Sequence, residues 1–103
     1  MDKYQVLKLD VYNEMVQEYT EKEKKLQTEL DVLTKQIVRL DLECSLELYV
    51  FGNPDVKKFR EFEAERGKEK TEIYERQKEI KQELSSVLSR LEILKYRKNS
   101  LIR

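Results

Sequence analysis

The chain has 103 residues, 41% of them charged and 39% hydrophobic, and its 21 Lys/Arg balance its 21 Asp/Glu. One domain is the most such a length holds, and a net charge of zero gives no overall field to draw the chain onto nucleic acid or an anionic membrane. With His 0 the commonest general base and the commonest metal ligand are both missing.

A composition rich in Glu, Lys, Leu and Gln with only Gly 2 and Pro 1 matches long helices and coiled coils. Sustained periodicity of the aliphatic residues argues for folded helix over disorder. The first element is predicted as a helix over about 4–51. One heptad frame places Leu9, Val16, Glu23, Leu30, Ile37, Cys44 and Phe51 at a, and Tyr12, Tyr19, Leu26, Leu33, Leu40 and Glu47 at d. Glu23 breaks the apolar seam, as a solvated bulge or a polar core layer. From Val38 to Val50 the apolar residues alternate with period two, which is a strand signal. Paired strands there would resemble the prefoldin format, in which hairpin strands interrupt two coiled-coil helices. No second alternating run follows to pair with the first, and Leu and Glu dominate where Val, Ile and Thr would be expected, so helix is the reading adopted.

The turn is expected at 52–54. Gly52 suits the left-handed position that closes a helix, Asn53 is a good N-cap, and Pro54 fits a first helical position. A connection this short makes the helices antiparallel neighbours. The second helix, about 54–101, opens with Val56, Phe59 and Phe62 and turns polar from Glu63 to Glu72. It then carries Ile73, Ile80, Leu84, Val87, Leu88, Leu91, Leu94 and Leu101. Gly67 lies in the polar stretch, where an interior glycine costs about 1 kcal/mol against alanine and invites a kink or fray.

The predicted fold is therefore all-α: an antiparallel two-helix coiled-coil hairpin, expected to dimerise into a four-helix bundle. Residues 1–53 carry 7 Lys/Arg and 11 Asp/Glu, and residues 54–103 carry 14 and 10, so the two arms attract weakly. Folding about Asn53 sets Val16 near Leu91 and Tyr12 near Leu94, but it sets Ile37, Leu40 and Cys44 against Glu63, Arg66 and Lys70. The most apolar part of the first helix meets the most polar part of the second. A second apolar stripe, Val38, Leu42, Leu46 and Tyr49, projects about 135° from the first at the α-helical repeat. A hairpin covers one side of that helix only. The candidate protein interface is thus Ile37, Val38, Leu40, Leu42, Leu46, Leu48, Tyr49 and Phe51, with the second stripes of two copies expected to face each other about a two-fold axis, or a different protein to supply the missing face.

Residues of catalytic, cofactor-binding or metal-binding type form no motif. There is no Gly-rich phosphate loop, no Cys pair and no strained Ser turn, and the carboxylates are expected in water among lysines. No enzyme activity, cofactor or small-molecule substrate is expected. Cys44 at an a position reads as a small buried hydrophobe. The cations Lys95, Arg97, Lys98 and Arg103, with Arg90 upstream, suit the negative end of a helix dipole, so nucleic acid is not the expected partner. No run approaches a membrane span and no secretory signal opens the chain, so the cytoplasm is the expected location.

The leading function is a non-enzymatic interaction module: an adaptor, assembly or regulatory subunit. Two alternatives stay open. One is a prefoldin-like holdase. The other is an exported hairpin: with Val50-Phe51-Gly52 at the bend, the layout is similar to the WXG100 group, helical hairpins of this length that leave the cell without a cleaved signal. Tryptophan is absent from the chain and no tyrosine–x3–acid export signal follows near the C-terminus, so the resemblance covers layout alone.

Overall fold

The structure, a computed structural model, describes residues 2–51 and 56–102; the side chains of residues 48–51, 56, 57 and 59 fall outside that description. Two helices account for the described chain: α1, Lys3–Phe51, and α2, Val56–Ile102. No strand occurs among the described residues, and the alternating run from Val38 to Val50 is helical throughout. Leu and Glu are strong helix formers, and an isolated alternating run has no strand to hydrogen-bond with, so propensity prevails over period. The prefoldin-like layout, which needs strands in this stretch, is therefore not the one adopted. The expected turn, Gly52-Asn53-Pro54, lies outside the described residues.

The start of α1 is built by its own side chains. The Gln5 backbone N–H donates to Asp2 Oδ1 at 2.8 Å, and Gln5 Oε1 accepts from the Asp2 backbone N–H at 3.2 Å. This reciprocal capping box satisfies two donors that the first turn would otherwise leave open. Within the helices, threonine and serine hydroxyls donate back to the carbonyl four residues earlier, as Thr20 does to Val16 and Thr71 to Gly67. The helix runs through Gly67 unbroken.

The chain divides into two compact units, one of residues 1–28 with 81–103 and one of residues 29–80. In the first, α1 and α2 pack through an apolar seam in which Leu26, Val87 and Leu91 are buried. Leu9, Tyr12, Val16 and Tyr19 are half-buried along α1, with Leu84, Leu94 and Leu101 along α2. Glu23 is half-buried too, in unbroken helix, so it makes a polar layer of the seam instead of a bulge.

In the second unit Leu40 is buried and Ile80 is wholly enclosed. Leu30, Leu33, Ile37 and Cys44 are half-buried on α1, opposite a polar α2. The mismatch is bridged by ion pairs. Arg66 meets Glu43 at 3.3 Å, Arg76 meets Glu29 at 2.9 Å, and Lys70 meets Asp41. In these pairs the α2 number rises as the α1 number falls, so the helices run antiparallel. The cations are themselves part-buried, Arg66 and Lys70 with less than a third of the side chain exposed. Arg66 also stacks on Phe62, 4.8 Å from the ring centroid, while its Nε is enclosed without a partner.

Candidate functional site

The eight residues singled out as an interface separate into two faces of α1. Ile37 is half-buried and Leu40 is buried, because both lie on the a/d seam and are consumed in packing against α2. They are not free for another chain. Val38, Leu42 and Leu46 are 51%, 59% and 62% exposed, one helical turn apart on the far side. Of Leu48, Tyr49 and Phe51 the structure describes the helical backbone only.

The stripe lies on uninterrupted helix, and the same turns are tied to α2 through Asp41 and Glu43. Arg39 pairs with Glu43 at 3.2 Å along the helix and, at 82% side-chain exposure, stands clear of the surface beside Leu42. Lys70 has its pKa raised above the ordinary 10.5, first through its hydrogen bond to Asp41 and then through the negative charge of that carboxylate, with desolvation working the other way. It is cationic at neutral pH.

A second apolar surface, which the heptad analysis passed over, lies in the first unit. Tyr4, Leu7 and Val11 are exposed on α1, spaced three and four residues apart on the face away from the seam, and they line a shallow groove with Lys8. One turn further along α1 a companion groove is lined by Met15 and Tyr19 with Arg90, Ile93 and Leu94 of α2. Arg90 lies over the Tyr19 ring, 6.0 Å from its centroid. The signal was present in the spacing 4, 7, 11, and the frame hid it because only a and d positions were followed.

Comparison of the chain with known families, with curated proteins and with solved structures finds no match. Function must be argued from surface chemistry. Among the described residues no group of three His, Cys, Asp or Glu side chains could hold a metal ion, and no helix is long and apolar enough to cross a membrane. Cys44 is a free thiol, half-buried on the seam. The arrangement offers exposed apolar side chains on continuous helix with charged residues at their margins.

Proposed function

We propose that the chain is a non-enzymatic coiled-coil interaction module, an adaptor, assembly or regulatory subunit that works by holding a protein partner on the outer face of α1. The observation that carries this reading is the row Val38, Leu42, Leu46, each more than half exposed and each backed by a seam already filled on the other side. Fully burying one such side chain is worth about 1.5–3 kcal/mol, so even the exposed half of three is a substantial driving force.

The small interior supports the same reading. The buried hydrophobic residues among those described are Leu26, Leu40, Ile80, Val87 and Leu91. A chain of this size buries a smaller share of its surface than a larger domain does, and a second copy would enlarge the core. The first partner we propose is a second copy of the chain, giving a four-helix assembly of two hairpins.

Sedimentation of the full chain tests the reading. Wild type is expected at twice the monomer mass at micromolar concentration, and Leu42→Glu with Leu46→Glu at the monomer mass with helicity retained. Equal masses for wild type and variant would mean that the stripe is not the contact.

A further inference from the structure

We infer that the C-terminal turns of α2, from Leu88 to Ile102, lie flat on an anionic lipid surface. This goes beyond the protein-binding reading of the α1 stripe. It concerns a different surface, and neither depends on the other.

The apolar part of this surface is what the seam leaves over. Leu91 is buried and Leu94 half-buried against α1, while Ile93, Tyr96 and Ile102 are 54%, 73% and 57% exposed on the same turns. At about 100° per residue, Ile93 and Tyr96 project about 130° and 170° from the middle of the Val87, Leu91 and Leu94 row. They stand on the outer side of α2, where α1 does not reach them. Arg90 and Arg97 lie on one flank of that side and Lys95 on the other, each about 70–90° from the seam. A tyrosine beside an aliphatic residue, with cations on both flanks, is the pattern of a helix lying in a membrane interface. The apolar side enters the headgroup boundary while the long basic side chains reach sideways to the phosphates. Crossing the bilayer is a separate matter, for which no helix among the described residues is long and apolar enough.

Charge on this segment is one-sided. Residues 88–103 carry Arg90, Lys95, Arg97, Lys98 and Arg103 against Glu92 alone. Among the described residues Arg90, Lys95 and Arg97 take part in no ion pair, whereas Arg66, Lys70 and Arg76 are all paired. Their charge is open to an external anion. The α1 turns alongside, residues 2–15, carry Lys3 and Lys8 against Asp2, Asp10 and Glu14, which leaves the region at +3. Asp10 and Glu14 project about 130° and 170° from the Leu9, Tyr12 and Val16 row, away from α2. A lipid surface beneath α2 therefore leaves both carboxylates on the water side.

Lipid fits this surface better than another polyanion does. Nucleic acid would engage the cations through its phosphates and leave Ile93, Tyr96 and Ile102 wet. An anionic bilayer takes both kinds of side chain at once. Glu92, about 40° from Tyr96, is the carboxylate on this side of the segment, and it opposes the contact.

The experiment is co-sedimentation of the full chain with vesicles of phosphatidylcholine, alone or with phosphatidylserine added. Wild type is expected to bind the anionic vesicles at low salt, and at least about tenfold more weakly when salt is raised or phosphatidylserine is left out. I93S/Y96S and K95Q/R97Q are each expected to lose at least about tenfold, and Glu92→Gln to gain several-fold. These side chains are all exposed, so circular dichroism should show wild-type helicity. L42E/L46E should still bind the anionic vesicles, which keeps this test apart from that of the stripe. Failure of wild type to bind, or equal binding to neutral vesicles, overturns the inference. So does I93S/Y96S binding as wild type does, because the cations then serve any polyanion and the helix does not enter the interface. If L42E/L46E abolishes binding, the contact is the stripe and the inference is overturned. Should either double variant of α2 lose helicity, Glu92→Gln decides: tighter binding supports the inference, and unchanged or weaker binding overturns it.

Discussion

The two units solve one packing problem with different materials. In the first, apolar residues of both helices meet, and Leu26, Val87 and Leu91 disappear from solvent. In the second, α1 is more apolar but α2 answers with Arg66, Lys70 and Arg76, and the pairs they form lie near the surface. Ion pairs at such exposure are worth about 0.2–1 kcal/mol each, against about 1.5–3 kcal/mol for a buried aliphatic side chain. The richest apolar stretch of the chain therefore has the weakest cover. The far side of the same helix leaves Val38, Leu42 and Leu46 more than half exposed, with no cover from α2.

The sharpest way to test this contrast is to cut each seam where it is apolar. Leu91→Ala in the first unit and Ile80→Ala in the second should each cost about 2–5 kcal/mol, read by urea denaturation. A cost below about 1 kcal/mol for Ile80→Ala would show that the second unit does not depend on its enclosed residue.

The next effect is one of gain. Replacing both members of the pair, Arg66→Leu with Glu43→Leu, removes an enclosed Nε that lacks a partner and supplies apolar side chains in its place. Stability is expected to rise by about 1 kcal/mol, as when paired charges give way to hydrophobic packing. A loss of that size would make the ion pair the working contact.

Gly67→Ala is expected to add up to about 1 kcal/mol, because the position is helical and a methyl group there meets nothing within 4 Å. A destabilised variant would point to a backbone conformation that alanine does not tolerate.

The smallest effect is in pH. Lys70 has a folded-state pKa above its ordinary 10.5. Its contribution is therefore complete below that ordinary value and disappears as pH rises through the higher folded one. Hydrogen exchange near Lys70 and Asp41 should accelerate in strongly alkaline solution more in wild type than in Lys70→Met. Identical pH profiles would remove the pair from the account.

Much of this was legible in the sequence because helices repeat. The a and d positions of α1 from Leu9 to Glu47 are all buried or half-buried, polar Glu23 and Glu47 included, since a heptad's spacing dictates which side faces the neighbouring helix whatever residue occupies it. The capping box of Asp2 and Gln5 was equally readable from its spacing. The candidate interface was half legible: Val38, Leu42 and Leu46 lie exposed opposite the seam, yet the same set held Ile37 and Leu40, which are spent on the hairpin.

What the order of residues determined without help was two long helices, their inward faces and the surplus of apolar surface on α1, all of which follow from a fixed rotation per residue. What required the packed structure was the cover for each surface. Whether a cation such as Arg66 would face water or be part-buried depends on the position of Glu43 on the other helix, and no single-helix period contains that distance.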